Sequence, residues 1–396
     1  MRSSFHWKET ALGDIIEFFD YKRIPLNSRE RAQRKGNFPY YGASGIFDYV
    51  NDYLFDGRYL LIAEDGENLN SRKTPIAFFA TGKFWVNNHA HIVKALPEVA
   101  DDYFIMRYLE NMNISAYITG AAQPKLSQSN LKSIKILLPP LSIQQRISWI
   151  LSAYDTLIEN NIRRIHILEE MAQTIYHEWF VNFRFPGYES VRMVESTLGS
   201  IPVGWEVMRL GNLVDFKKGK KPNNNCDKDD LNSLPILLID VLNSRESRFT
   251  SDNKMVIVEK DDVIMVMDGA SSGKCYIRYY GALGSTLGRY RSKNTEVLSP
   301  YHLFFTLNQK FKQISDNNTG AAIPHANKDF INQLTILISP SEIRLQFHQI
   351  VEKIFLLIEN LRNCNLNLHK QSDLLLPRLI SGELDVENLD IEASPN

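Results

Sequence analysis

The chain has 396 residues, of which 44% are hydrophobic, enough for two or three domains with sizeable cores. Its formal net charge of −1 excludes a global field that would draw the whole molecule to nucleic acid or an anionic membrane, so any anion-binding surface is local. Cys226, Cys275 and Cys364 lie far apart with no CxxC pair, and no stretch reaches the ~18 apolar residues of a membrane span or resembles a secretory leader; a cytoplasmic protein with reduced thiols is expected, without a zinc ribbon or disulfide framework.

The first predicted element, WKETALGDIIEF (7–18), opens on a tryptophan and a Leu-Gly turn. A basic segment follows, DYKRIPLNSRERAQRKG (20–36), with six Lys/Arg against two acids. Short runs such as RYLLIAEDG and TPIAFFA read as strands, because β-branched and aromatic residues alternate with Gly, Asn and Asp breaks. The acid pairs Glu64-Asp65 and Asp261-Asp262 are expected in turns at strand ends. After TGAAQPKLSQSNLKSIKILLPPLS (119–142), residues 143 to 180 contain no proline or glycine and predict one long helix. Its apolar residues fall at Ile143, Ile147, Ile150, Tyr154 and Leu157, then slip by one residue and resume at Ile162, Ile165, Leu168, Ala172, Ile175 and Trp179.

The same grammar then starts again. WEVMRLGNLVDF (205–216) matches 7–18 at an offset of 198 residues, and TGAAIPHANKDFINQLTILISPSE (319–342) matches 119–142 at an offset of 200. Aligned without gaps, 119–160 and 319–360 share 14 of 42 residues. Two sets of matches in the same order mean two copies of one domain, and a period near 200 is too long for a solenoid. The second copy carries its own basic run, KKGKKPNNN (217–225), at the corresponding place. Its long helix shows Ile343, Phe347, Ile350, Ile354, Leu357, Leu361, Cys364 and Leu368, spaced 4-3-4-3-4-3-4 as in a coiled-coil seam. Each helix is on the order of 50 Å long, and each needs a partner for its stripe. The other helix is the natural partner, with Asn160-Asn161 on the polar side fixing register. Packing of each helix back onto its own sheet is the alternative. The segment after the second helix is expected to approach the start of copy one.

Catalytic constellations fail one by one. GASSGKC (269–275) has three rather than four residues between its glycines and ends in Cys where a phosphate loop needs Ser or Thr. NNHAH (87–91) reads as a polar turn rather than a metal site. LLPPLS (137–142) lacks the amide and aromatic of an adenine-methyltransferase motif, and there is no GxSxG or HExxH. The polar, Gly-rich loops instead carry Ser, Asn, Arg and Lys, side chains that reach base edges. Two such faces held apart by a strut would read two short DNA sequences across an unread gap of about 34 Å, one helical turn.

PYYGASGIFDYVNDYLFDGRYLLIAEDG, QPKLSQSNLKSIKILLPPLSIQQRI, IPVGWEVMRLG, VMDGASSGK and LLLPRLISGELDV together resemble the specificity subunits of type I restriction–modification enzymes, over nearly the whole chain. The resemblance implies an α+β fold: two pseudo-symmetric β-rich target-recognition domains joined by a pair of long antiparallel coiled-coil helices. The domains fall at 1–141 and 205–340, the helices at 142–183 and 341–377, the linker at 184–204 and the tail at 378–396. It implies double-stranded DNA, two methyltransferase subunits and restriction/translocation subunits as partners. S-adenosylmethionine then belongs to the methyltransferase subunits, ATP and Mg to the restriction subunits, and neither a catalytic residue nor a cofactor to this chain. Carried over by loop, Arg23, Arg34, Lys35, Lys218, Lys220 and Lys221 are assigned to phosphates. Ser44, Arg72, Lys73, Asn87, Asn88, Ser271, Ser272, Lys274, Ser285 and Thr286 are assigned to the reading faces, and Lys125 and His325 to backbone contacts. Copy two departs from the pattern at IPHANKDF. The competing reading is a coiled-coil adaptor whose β-rich domains bind proteins or glycans; a self-contained methyltransferase is disfavoured.

Overall fold

The computed structural model describes residues 7–120, 122–228, 230–242, 248–320, 323–387 and 389. Ala121, Ala321 and Ala322 of the repeated Thr-Gly-Ala-Ala, and the end of the predicted tail, lie outside them. The chain divides into two compact units, Met1–Glu159 with Asn367–Asn396, and Asn160–Leu366. The divisions fall inside the two long helices.

Unit one runs β1 (Lys8–Ala11), β2 (Ile16–Phe18), α1 (Ser28–Gln33), β3 (Lys35–Gly42), β4 (Gly45–Val50), β5 (Phe55–Asp56), β6 (Tyr59–Ala63), α2 (Asn68–Ser71), β7 (Ala77–Ala80), β8 (Lys83–Val86), β9 (Ala90–Ala95), α3 (Asp102–Asn111), α4 (Gln128–Ser133), β10 (Lys135–Leu138) and the start of α5 (Leu141–Phe180). Its strands form two four-stranded sheets, ordered β2-β9-β6-β7 and β4-β3-β8-β5, and a β1-β10 ladder. β6 is buried at every position because its two faces meet different cores. Leu60 and Ile62 pack with Leu12, Ile105 and Leu109, while Leu61 packs with Phe55, Phe84 and Ile92. A sheet covered on both faces needs the continuous apolar run that YLLIA supplies.

Unit two takes up the rest of α5 and continues with β11 (Met193–Ser196), β12 (Gly199–Pro202), β13 (Glu206–Arg209), α6 (Leu210–Leu213), β14 (Val214–Lys218), β15 (Leu234–Leu237), α7 (Ile239–Leu242), β16 (Phe249–Thr250), β17 (Ile257–Val258), β18 (Val263–Val266), β19 (Cys275–Tyr276), β20 (Gly281–Leu283), β21 (Leu287–Ser292), α8 (Pro300–Gln309), α9 (Phe311–Asp316), α10 (Lys328–Gln333), β22 (Thr335–Ile338) and α11 (Ser341–Ile380). Its sheets are ordered β14-β21-β18-β19 and β16-β15-β20-β17, with a β13-β22 ladder, so the topology of unit one is repeated strand for strand. A parallel strand pairing recurs too, Tyr40↔Trp85 on β3-β8 and Ile236↔Ala282 on β15-β20. β18 again splits its side chains, Val263 and Met265 into one core and Ile264 and Val266 into another.

The sequence repeat is explained by what each copy must close. Leu12 donates its backbone N–H to Ile134 and Leu210 to Leu334, both at 2.8 Å, tying the opening turn to the residue before β10 or β22. Thr119 and Lys125 exchange backbone hydrogen bonds, as do Thr319 and His325. Gly120 and Gly320 turn inside those loops at φ +87° and +91°, where a Cβ would lie 2.3 and 2.4 Å from the carbonyl oxygens of Gln123 and Ile323. Only glycine fits there.

Each long helix has 40 residues, about 60 Å at 1.5 Å per residue. Within unit two the pair runs antiparallel: Asn161 Nδ2 donates to Asn365 Oδ1 at 2.8 Å, Arg362 pairs with Glu169, and Trp179 meets Phe347. Within unit one, Ile143, Ile147 and Leu151 share a core with Leu376, Leu379 and Ile380. Two expectations are corrected. The predicted seam residues Leu157, Ile162, Ile350 and Leu357 are exposed, and the buried stripe of α11 in unit two is Phe347, Val351, Ile354, Phe355 and Ile358. Here α11 packs on α8 as well as α5, with Tyr301 stacked on Phe355 at 5.0 Å, so its buried face is broader than a two-helix seam and rotated from it. Asn161 and Asn365 are therefore seam residues, both buried, rather than polar-face residues.

The described residues of the connecting segments are structured. Phe185 and Ile201 pack with Trp205 beside the β11-β12 hairpin. α11 continues past the predicted boundary, through Pro377, to Ile380. Beyond it Leu384 and Val386 pack with Trp7, and the Arg146 guanidinium donates to the carbonyls of Val386 and Glu387. The tail thus reaches the start of copy one. No helix among the described residues is long and apolar enough to cross a membrane.

Candidate nucleic-acid interface

In unit one, four loops meet at one end of the sheets because backbone hydrogen bonds fasten them together. Glu64 N–H donates to the His89 carbonyl at 2.9 Å, Gly66 to Pro124 at 3.0 Å, Leu126 to Glu64 at 2.7 Å, and Asn87 to Tyr41 at 3.0 Å. Between them lies a cleft of about 560 Å³ lined by Arg31, Ser44, Phe47, Asp65, Asn87 and His89, among others. Of the predicted reading residues, Ser44, Asn87 and Asn88 gather here. Ser44 and Asn88 are exposed; Asn87 is buried and its side chain accepts from the His89 N–H at 2.8 Å. His89 in turn sets Nδ1 2.9 Å from Asp65.

The predicted cations of unit one behave differently from one another. Arg34 is exposed, its guanidinium 5.8 Å from the Trp85 ring, and Lys35 is exposed and pairs with Asp48 at 2.6 Å. Lys73 is exposed. Lys125 is exposed with Nζ 3.3 Å from Glu64. Arg23, by contrast, turns inward: it donates to Glu64 at 2.6 Å and to the Ala90 carbonyl at 2.9 Å. Arg72 is likewise spent on the Leu109 and Met112 carbonyls at the end of α3. Arg23 touches the loop surface only through a long contact, 3.5 Å, to the Asn88 carbonyl.

Arg23 completes a half-buried polar cluster. His91 is fully buried, with Nδ1 2.6 Å from Asp20 and Nε2 2.8 Å from the Leu126 carbonyl. Burial pushes the Glu64 carboxyl up, but hydrogen bonding from Arg23, the charges of His91 and Arg23, and hydrogen bonding from Lys125 outweigh it and hold the carboxyl below the usual range. Asp20, Glu64 and His91 have ligand atoms within 4.8 Å of one another, a spacing compatible with a metal ion, but Arg23 and Lys125 already supply positive charge there. The acid pair at 64–65 does stand at a strand end, directly after β6, with Glu64 engaged by Arg23 and Lys125. Asp261-Asp262 sits in the turn before β18, where Asp261 is exposed and the buried Asp262 takes both arms of Arg291 at 2.6 Å.

Unit two uses the same fastenings with other side chains. Met267 N–H donates to the Thr286 carbonyl at 2.8 Å, Gly269 to Pro324 at 2.9 Å, and Ala326 to Met267 at 2.8 Å. Asp268 stands where Asp65 stands, bridged to His325 as Asp65 is to Lys125. It gathers two of the predicted residues, Lys218 at 3.0 Å and His325 Nδ1 at 2.7 Å. Partial burial raises the Asp268 carboxyl, but hydrogen bonds from His325 and Lys218 hold it below the usual range. The Ser285-Thr286 turn lies alongside, since Gly219 and Lys220 donate to the Leu287 and Leu283 carbonyls. Lys220, Lys221 and Ser285 are exposed. Ser272 is not available: it is buried, its hydroxyl near the Met267 carbonyl and Asn318. Ser271 is half-buried. Lys274 points away, over the Tyr276 ring, into a separate cleft of about 500 Å³ in unit two lined by Glu169, Tyr176 and Phe305.

The residues that sequence reasoning missed are Arg31, Phe47, Asp65, His89 and Asp268. The aspartates were within reach, because AEDG and VMDG end β6 and β18 at equivalent places.

The family model for the type I restriction modification DNA specificity domain matches residues 6–170 and again 202–372, once for each copy. The chain belongs to that family. Within this specificity family, it is 25% identical to the type I restriction enzyme MjaIX specificity subunit of Methanocaldococcus jannaschii over 97% of the chain and 99% of the relative. It is 39% identical to a Haemophilus influenzae specificity-subunit candidate, S.HindORF215P, over 39% of the chain and 38% of that relative. The S subunit of the type I restriction–modification system of M. genitalium has the same fold, with a TM-score of 0.60 at 16% identity, covering 96% of this chain and 97% of that one. Membership of the specificity family decides against the adaptor reading.

Proposed function

We propose that this chain is the subunit that gives a type I restriction–modification enzyme its DNA sequence specificity, with each unit reading one half of a bipartite site in double-stranded DNA. The carrying observation is one backbone frame built twice with different polar loops at the same end of the sheets. A fixed frame with variable loops is what reading two different sequences in one way requires. Arg34, Lys35, Lys73 and Lys125 in unit one, with Lys218, Lys220, Lys221 and His325 in unit two, face phosphates. Ser44, Asn87, Asn88, Ser285 and Thr286 face bases. Sequence-independent charge contacts position the protein, and the loops discriminate.

In this reading α5 and α11 set the gap between the half-sites and dock two methyltransferase subunits, which restriction/translocation subunits join. The exposed Trp149, Leu157, Ile162, Ile350 and Leu357 supply apolar surface for that docking. Methyl transfer from S-adenosylmethionine and Mg–ATP-driven restriction then belong to those partners, and this chain is non-catalytic.

The test is binding of bipartite duplexes by the complex with its methyltransferase partner. Four residues, one helical turn, are inserted into both long helices in the same register. The tolerated gap should lengthen; an unchanged gap preference overturns the ruler. Absence of salt-dependent binding to any duplex overturns the DNA reading itself.

A further inference from the structure

Unit one exposes a group of large apolar side chains that its fold does not use. They lie on the β3-β4 hairpin, closed by the two-residue turn Ala43-Ser44 between Gly42 and Gly45. Ile46 is 50% exposed, Phe47 65% and Tyr49 49%. Strand alternation would send Ile46 and Phe47 to opposite faces and bury one of them. A β-bulge prevents this. Tyr40 pairs with Asp48 and Tyr41 with Ile46, leaving Phe47 as the extra residue of β4, the edge strand of its sheet. Bulges re-aim side chains in this way. The Arg31 guanidinium, held by Asp48 and the Leu26 carbonyl, lies 4.9 Å from the Phe47 ring and backs it.

The surroundings say what the hairpin fits. On one side is the 560 Å³ cleft, which Ile46 and Phe47 line together with Ser44, Asn87 and Asn88. Arg34 and Lys35 are exposed at the open end of the hairpin, where the Asn51 N–H donates to the Arg34 carbonyl. Lys35 pairs across from Val50, three residues along β4 from Phe47, which is about 10 Å of strand. The major groove is about 12 Å wide and admits a two-stranded ribbon. A ribbon with apolar side chains near its tip and Arg34 and Lys35, the latter reaching forward to Asp48, at its base matches a groove floor flanked by phosphates. On that floor the apolar feature is the thymine 5-methyl group.

We propose that the β3-β4 hairpin enters the major groove and that Phe47 reads a thymine methyl in the half-site of unit one. The inference rests on the DNA-specificity reading above and adds a specificity-determining residue to it. The Arg31 cation orients the ring; Ser44 and Asn88 read the neighbouring base edges.

The experiment uses the complex with its methyltransferase partner and a bipartite duplex selected from a randomised pool. Each thymine is replaced singly by uracil, which removes only the methyl group. One replacement in the unit-one half-site should weaken wild-type binding about fourfold, the worth of one buried methyl, and should leave Phe47→Ala unaffected. Phe47→Leu should retain part of the response. The other half-site should keep its preference in all three proteins, which also shows that they are folded. Uracil responses that are absent, or equal in wild type and Phe47→Ala while duplex binding persists, overturn the hairpin and leave the DNA reading standing. Loss of a concentration-dependent self-association in Phe47→Ala, without change in DNA preference, would assign the edge to a second copy instead. No duplex binding by any of the proteins overturns both.

Discussion

The reading ends of the two units have the same backbone and nearly opposite side chains. Where unit one has Asp20, Glu64, His91 and Lys125, unit two has Lys218, Met267, Gly288 and His325, as the strand registers align them. A half-buried charged cluster in one is a methionine packed beside Phe216 and a glycine in the other. The loops are held in both by main-chain hydrogen bonds that do not depend on residue type. Side-chain chemistry at this end can therefore be exchanged without dismantling the frame. The cost of a change is set by the local partners rather than by the topology.

That comparison can be broken most forcefully by putting the residue of one unit into the other. Glu64→Met removes the 2.6 Å partner of Arg23 in a half-buried site but leaves it Asp20 at 3.4 Å, and should cost about 2–3 kcal/mol in chemical denaturation. Met267→Leu, at the equivalent place, should cost under about 1.5 kcal/mol. Equal losses would show that the cluster in unit one is not holding its loops.

The units also bury histidine differently. His91 has an oxygen at each ring nitrogen, whereas His302 is packed against Phe180 and Phe347, and its Nδ1 lacks a hydrogen-bond partner among the described residues. Burial, with the charge of Arg344, pushes the His302 pKa down to about 3. The unfolded chain titrates near 6.5 and binds a proton that the folded state refuses, so stability falls as pH drops from 6.5 towards 3. By pH 4 the loss is roughly 3 kcal/mol. His302→Phe should flatten the melting temperature of unit two across that window, and a curve parallel to wild type would contradict it.

The smallest effect is on charge alone. Lys220→Ala with Lys221→Ala should weaken DNA binding about evenly across sequences and lower the salt slope by up to about 2. Binding at several salt concentrations measures it, and an unchanged slope removes these lysines from the phosphate contacts.

Much of this molecule was legible beforehand. The Trp/Leu-Gly openings, the Thr-Gly loops and the proline-bounded strands recur because each closes a particular backbone contact, so the repeat revealed the frame. Ser44, Asn87, Asn88, Lys218 and His325 do gather at loop ends. Arg23, Arg72 and Ser272 turn inward because their partners, Glu64, the Leu109 and Met112 carbonyls and Asn318, lie 37 to 46 residues away. A charge run shows that cations are present and not whom they meet. The helical seam was misplaced because the spacing of apolar residues does not say how many neighbours a helix has, and α8 was not counted among them.

The division of both long helices between the units has a consequence for synthesis. Unit two is one continuous stretch of chain and has all its parts once residue 366 has left the ribosome. Unit one begins first yet needs residues 367 onward, so Ile143, Ile147 and Leu151 wait for Leu376, Leu379 and Ile380. A stop codon just after residue 366 would leave the later-made half whole and cripple the half made first.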